Sequence, residues 1–448
     1  MTSPTVPSSG TDLRRELGLF DSTMINVGTM IASAIFIVPA TVSAALPGSA
    51  AATLVWVVGG AVSLLGALSI AELAAAYPEA GGQYAYLREA YHPALGFLYG
   101  WANFAVINTA SIAAIAVGFA RYVGFFTYLS ELAIRIVAVL SIVALTLLNC
   151  RGVRLGATTQ NILTTLKMGA LAALIVTSFG LHGGSTANLQ PLWPAGSASH
   201  WIGPFGIAMV SVLWAYDGWI ETTYVGSEIV DPGRNLPRSI ILSTIIVIAF
   251  YVLASSAYLY VLSPTGVAKS ALVASDAARV TIGAAGAAFV VVAILISTIG
   301  ANNGIVLTAA RIPYAMARDG LFFRSQGYVH PRYATPMVAL LTQGAIASIL
   351  TLLGTYNQLI LYVVFAQFVF YALSAGAVIR LRRTAPQVAR PYRTWGYPVT
   401  PLVFIAFAVW LVYNTIVETP KDSAIGAGLI LLGLPGYYYW RRPGGGGR

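Results

Sequence analysis

Apolar stretches long enough to cross a bilayer recur along the chain, separated by short breaks of Gly, Pro and charged residues. Taking about 20 apolar residues per crossing, this pattern predicts twelve spans, at roughly 21–45, 50–76, 94–124, 132–149, 156–180, 204–230, 237–262, 284–310, 335–353, 356–380, 398–417 and 424–440. The pattern gives a single membrane domain, 21–440, between a polar N-terminal tail, 1–20, and a C-terminal tail, 441–448. The Pro/Ser/Thr-rich start of the first tail is expected to be disordered, and LRRELGLF to lie on the membrane surface. The GGGG near the C-terminus reads as a flexible tail.

Composition supports the same class. Of 448 residues 57% are hydrophobic and 9% charged, against roughly 25% charged in a soluble domain. A soluble globule is excluded. The net charge of +10 is explained by where the basic residues fall. Nineteen of the 25 Lys and Arg lie on one side of the predicted topology, five on the other, and Lys167 within a span. This asymmetry places both termini in the cytoplasm of a multi-pass inner-membrane protein, and implies no nucleic-acid partner. The single Cys150 forms no internal disulfide, and no cleavable signal or lipid-attachment pattern precedes the first span. His92, His182, His200 and His330 fall near span ends or in loops, so neither a metal nor another cofactor is expected.

Irregular backbone is tolerated at membrane depth only where it lines a cavity. Two spans carry such interruptions: GTMIASAIF (Gly28 to Phe36) in span one, and SVLWAYDGW (Ser211 to Trp219) in span six. They occupy equivalent places in two similar five-span units, 21–180 and 204–380, with two further helices over 398–440. Paired interrupted segments point to a midplane binding site. Amides freed at one break suit a carboxylate, and carbonyls freed at the other suit an ammonium, so the pair describes an amino-acid zwitterion.

Four segments in register resemble the amino acid–polyamine–organocation superfamily, and especially bacterial L-type amino acid transporters. They are span one, PEAGGQYAYLREAY (Pro78 to Tyr91), AYDGW followed by EIVDPGRNLPRSI, and GANNGIVLTAARIPYAMARDG (Gly300 to Gly320). The resemblance implies an all-α inverted-repeat fold of five-plus-five helices and two more, with helices one and six broken. It assigns the substrate carboxylate to Ile31, Ala32, Ser33 and Ala34, and the substrate ammonium to carbonyls around Trp214, Ala215, Asp217 and Gly218. Trp214 would also serve as an aromatic lid. The family usually shows G-S-G where this chain has Ala32-Ser33-Ala34, and alanine lacks glycine's freedom at positive φ.

An intramembrane lysine is expensive and marks a functional site by default. Lys167 lies 13 residues from Arg154, about 20 Å along a helix, too far to snorkel. In sodium-independent relatives a lysine here stands in for a sodium ion bracing spans one and eight, so the resemblance implies contacts with Gly28 carbonyls and the hydroxyls of Ser297 or Thr298. Asp217 and Glu221 are one helical turn apart; Glu221 would face the cavity for selectivity or proton coupling, while Asp217 also suits a cap on the restarted half-helix. With no nucleophile or metal site beside them, an enzyme is not expected. Glu72 reads as a structural or gating contact. Glu228 and Asp231 suit ion pairs with Arg234, Arg238 or Arg311 in an inner gate. Asn302 and Asn303 would bond either the unwound segments or a neighbouring helix.

Together these features predict a sodium-independent transporter of small neutral amino acids, working by exchange or proton-coupled uptake. Two alternatives stand beside it: a cationic amino acid or polyamine transporter of the same fold, and a non-transporting amino-acid sensor. Animal L-type light chains pair with a glycoprotein through an extracellular cysteine. Cys150 lies at the cytoplasmic end of span four, so the expected partners are substrate and lipid, without a disulfide-linked heavy chain.

Overall fold

The computed structural model describes residues 13–181, 183–354 and 356–441, and, within these, the backbone alone at 198–199 and 356–365. The expected disordered start and glycine tail lie outside the described residues, as does His182. Where it is described, the chain is helical, with no β-strand among the described residues.

Among the described residues, seven helices are long and apolar enough to cross a membrane: Ser49–Ala76, Pro93–Val123, Glu131–Cys150, Val153–Gly180, Pro232–Lys269, Ala284–Arg318 and Val399–Glu418. An eighth span is the pair Leu19–Met30 and Ala34–Ala45, bent by 45° at its break. The other predicted positions hold one long helix, at span ten, and shorter or interrupted helices elsewhere. Span six is Ile202–Ala215 followed by Glu221–Tyr224, span nine Met337–Leu353, span ten Tyr356–Thr384, and span twelve Pro420–Leu431 with Gly433–Arg441. Each departure from a straight helix has a local cause. Pro39 sits inside the second half of span one, and Ser263 at a positive φ of 66° kinks the end of span seven just before Pro264. Span three passes through a π turn at Asn103–Ile107.

The buried apolar residues divide into two clusters. Spans one, two, six, seven and ten contribute to the larger, around residues such as Trp56, Tyr251 and Tyr371. The smaller joins spans three, four, eight and nine through Ile112, Ile142, Val306 and Leu340. The first half of span one packs against spans five, seven and eight, and so lies on the seam between the two.

LRRELGLF differs from expectation. Instead of lying on the membrane surface, residues 13–18 run extended. The amides of Glu16 and Leu17 donate to the Glu228 carbonyl at 2.9 and 3.0 Å, and Val230 N donates to Leu17 O at 2.9 Å. Leu17 is buried; its apolar side chain is better placed under the end of span six than in the headgroup layer.

Candidate functional site

Breaking a helix releases carbonyls that must find donors elsewhere. In span one the helix stops at Met30 and restarts at Ala34. Neither Ala32 nor Ala34 has a positive φ, and Ser33 itself is helical, at φ −79° and ψ −16°. The break therefore requires no glycine at these positions. Met30 O accepts from Ala32 N at 2.9 Å and from the Tyr251 hydroxyl at 2.6 Å. The Ile31 and Ala32 carbonyls accept from Ser297 Oγ at 2.9 and 3.1 Å. Lys167 Nζ supplies the rest, donating to Gly28 O at 2.7 Å, Ile31 O at 2.8 Å and Ser297 O at 3.0 Å. The lysine is 1% exposed, and its ammonium joins span one to span eight from span five.

The geometry differs from the sequence expectation in one respect. Ser297 meets Lys167 through its carbonyl and keeps its hydroxyl for span one. Thr298 takes no part: its hydroxyl bonds back to Ile294 and Leu295 of its own helix at 2.8 and 3.1 Å. Gly28 is needed for close approach, since a β-carbon there would collide with Gln160 and Thr164 of span five.

Span six opens over Tyr216–Ile220. Gly218 adopts φ 113°, open to glycine but rarely to other residues, and a β-carbon on it would come within 3.1 Å of Met30 N. Asn26 of span one replaces the lost backbone partners, donating to Trp219 O at 2.8 Å and accepting from Thr222 N at 2.9 Å. Thr29 donates towards Gly218 O at 3.2 Å. The Tyr251 hydroxyl, besides Met30 O, lies 3.1 Å from Ala215 O. The two breaks are thus stitched to each other by side chains.

Between them lies a cavity of about 100 Å³, several times the ~10–15 Å³ that one water needs. Ala32, Ser33 and Ala34 line one wall, where the first amides of the restarted helix have no intrahelical acceptor. Trp214, Ala215, Asp217, Gly218 and Glu221 line the other. Ile31 is buried behind the break, and Lys167, Gly28, Ser297 and Thr298 lie outside the cavity. Trp214, 42% exposed, packs less tightly than a core tryptophan and borders the opening.

Both carboxylates of this wall carry donors. Asp217 Oδ1 accepts from the Tyr371 hydroxyl at 2.5 Å and Gln367 Nε2 at 3.2 Å, both on span ten. Glu221 accepts from the Thr308 hydroxyl of span eight. Among the described residues no group of His, Cys, Asp and Glu could hold a metal ion.

A model of the amino acid permease family matches residues 17–437. The chain belongs to the amino acid permease family. It is similar to the human b(0,+)-type amino acid transporter 1, 33% identical over 439 residues, covering 96% of this chain and 88% of that one. It is similar to the serine/threonine exchanger SteT of Bacillus subtilis, 32% identical with 95% and 97% covered. The human large neutral amino acids transporter small subunit 2 is 32% identical, with 96% and 82% covered. As a permease this multi-pass membrane protein is a transporter and not an enzyme.

At the arginine-rich end of the permease, Glu228 pairs with Arg311, with Nε–Oε1 at 2.7 Å and Nη2–Oε2 at 2.9 Å, both side chains almost fully buried. Arg234, Arg238 and Asp231 are not in this pair. Glu72 is held by Arg382 at 2.6 Å and Arg390 at 3.3 Å. On the loop helix Gln83–Ala90, Arg88 meets Glu79, Glu89 and Asp319. Partial burial there opposes its charge, but the Asp319 and Glu79 carboxylates outweigh this and raise the Arg88 pKa. Asn302 and Asn303 bond neighbouring helices, Asn302 to Ile112 O at 3.3 Å and Asn303 to Gln160 and Gly156 of span five at 2.9 and 3.2 Å.

Asn26, Tyr251, Tyr371, Gln367 and Thr308 were not among the residues singled out from sequence. Only Asn26 and Gln367, amides inside apolar stretches, carried a signal. Tyrosines and threonines on buried faces look the same in sequence whether they pack or serve a broken helix. The π turn of span three is a further missed feature; its Asn103 accepts from Asn108, which faces the cavity, at 3.0 Å.

Proposed function

We propose that this permease is a sodium-independent exchanger of small neutral L-amino acids that works by alternating access. The observation that carries the reading is the Lys167 ammonium held by Gly28, Ile31 and Ser297 carbonyls. A fixed cation already occupies the carbonyl cage joining the broken helix to span eight, so no mobile cation is required to brace it. The substrate carboxylate would meet the amides and hydroxyl of Ala32, Ser33 and Ala34, with Ile31 fixing the break behind them. Its ammonium would meet the span-six carbonyls of Trp214, Ala215 and Asp217, with Gly218 providing the turn and Trp214 closing over the side chain. A cavity of about 100 Å³ favours a small substrate. The similar proteins named as a serine/threonine exchanger and a large neutral amino acids transporter support a neutral substrate, and only the first supports a small one.

Glu221 supports a second reading, because a carboxylate in the cavity wall suits a cationic side chain or a diamine. Its bond from Thr308 and the bonds to Asp217 from span ten favour the neutral reading, since both acids already have donors. Competition in proteoliposomes separates the two. Serine, threonine or alanine is expected to compete with labelled substrate, and Glu221→Gln to leave that competition within about twofold. Competition by arginine and diamines alone, lost in Glu221→Gln, would establish the cationic reading instead. Binding without flux would indicate a sensor.

The arginine-rich ends of the spans are assigned to the cytoplasm and the membrane to the cell membrane. Cys150 is buried at the end of Glu131–Cys150, so a partner chain, if one assembles with this permease, would associate without a disulfide through it.

A further inference from the structure

Arg234 and Arg238, which the Glu228–Arg311 pair leaves aside, line a cleft of about 610 Å³ at the arginine-rich end. Its walls are the start of Pro232–Lys269 and the loop at Pro391–Tyr392. We propose that this cleft binds the phosphate headgroup of an anionic phospholipid.

The charged lining is favourable to an anion. Arg234 and Arg238 are exposed, one helical turn apart and therefore on one face of the helix. Neither makes an ion pair among the described residues, because the buried acids nearby are committed: Glu228 to Arg311, and Glu72 to Arg382 and Arg390. Asp231 is the one carboxylate in the wall, which leaves the lining with net positive charge. The helix itself begins at Pro232, so its positive end adds to the field. The Tyr392 hydroxyl, shielded from water, has no acceptor for its proton among the described residues.

The facing wall is built in advance. Arg390 donates to the carbonyls of Val388, Leu381 and Ala385 at 2.8, 2.9 and 3.1 Å, and Thr394 N donates to Glu72 Oε2 at 2.8 Å. Gly233 packs so closely that a β-carbon on it would lie 3.0 Å from Pro391. The loop is therefore fixed against the helix start, and the cleft between them keeps its shape.

The position favours a lipid over a free anion. The face carrying Arg234 and Arg238 continues down the same helix through Leu242, Ile245 and Leu253, each more than two-fifths exposed. These apolar side chains face the surrounding medium, which for a membrane span is acyl chain. The two arginines thus stand at headgroup level above a lipid-facing stripe. Trp395, 67% exposed beside Tyr392, marks the same interface. Basic pockets between helices at this level suit anionic headgroups.

Native mass spectrometry of the purified permease with phosphatidylglycerol, phosphatidylcholine and inorganic phosphate tests the assignment. Phosphatidylglycerol adducts are expected to form preferentially and to weaken about thirtyfold in R234Q/R238Q, which corresponds to ~1 kcal/mol per arginine. The control R324Q/R332Q removes the same charge elsewhere on that side and should retain the adducts. Equal loss in both double variants, or equal binding of phosphatidylcholine, would overturn the site. Displacement of the lipid by millimolar phosphate would reassign it to a soluble anion and overturn the lipid. Substrate exchange by R234Q/R238Q in phosphatidylcholine vesicles checks that the variant is folded; should it fail, R238Q alone is compared by the same measurement, with a fivefold loss supporting the site and no loss rejecting it.

Discussion

Replacing Lys167 by Met is expected to lower exchange by at least about 100-fold while leaving folded protein in the membrane. Methionine keeps most of the stem's volume and removes the charge, so the effect isolates the ammonium from packing. Without it, the Gly28 carbonyl loses the donor that reaches it, the Ser297 carbonyl keeps only the bond of its own helix, and Ile31 O keeps only Ser297 Oγ. Leaving a buried polar group unsatisfied costs roughly 1–3 kcal/mol, and a 100-fold change in rate requires only about 2.7 kcal/mol. The predicted loss is therefore within what the one orphaned Gly28 carbonyl supplies. Arginine is not expected to restore the rate. Gly300 packs against the ammonium so closely that a β-carbon there would be 3.2 Å from both Cε and Nζ, which leaves no room for a guanidinium. Unchanged exchange in Lys167→Met would reject the bracing role. A comparison of counterflow with binding of labelled substrate shows whether affinity or turnover is lost.

The second large effect concerns Glu228 and Arg311. Removing one partner of a buried ion pair leaves an uncompensated charge and costs about 3–5 kcal/mol, whereas replacing both by apolar residues is often neutral. Glu228→Leu and Arg311→Leu are each expected to lower the thermal midpoint in detergent by roughly 5–10 °C, at a few degrees per kcal/mol for a large domain. The double variant is expected to recover most of the loss. The Glu228 carbonyl also anchors Glu16 and Leu17, so the single variants should expose the N-terminal segment to protease. If the double variant is as unstable as the worse single one, the pair is not the source of the effect. A stable double variant that no longer exchanges would separate the pair's part in transport from its part in folding.

How far the sequence carries this picture differs from element to element. The spans were legible because hydrocarbon permits little besides long apolar helices, and their ends fall where Pro, Gly and Arg interrupt the pattern. The breaks at Ile31–Ser33 and around Gly218 were legible because small residues and an acid at membrane depth conflict with close packing against lipid. Lys167 was legible for the same reason, as a charge too far from either interface to escape. Its partners were legible only in part: Gly28 was expected, but the switch from the Ser297 hydroxyl to its carbonyl, and the absence of Thr298, depend on the rotation of span eight about its axis. Sequence periodicity does not fix that angle in a helix buried all round.

The gate motif shows the opposite difficulty. DPGRNLPRSI offers Asp231, Arg234 and Arg238 beside Glu228, all compatible with an ion pair, and only tertiary packing selects Glu228 with Arg311 of span eight. The same uncertainty hid the cleft at Arg234 and Arg238, whose significance depends on which face of span seven meets lipid. The stitching residues were the least visible. Tyr251 and Tyr371 are ordinary aromatic residues of apolar spans, and their hydroxyls gain a role only because two helices open beside them. Departures from the straight helix thus identified the site, while the side chains that make those departures stable had to be read from the fold.

Exchange is proposed to proceed without sodium, with Lys167 filling the place of a cation. Counterflow of labelled serine into proteoliposomes preloaded with unlabelled serine, with sodium replaced throughout by choline, tests it most directly. Rates equal to within about twofold with and without sodium, together with loss of flux in Lys167→Met under both conditions, are predicted. Flux that requires sodium in the wild-type permease would contradict the claim.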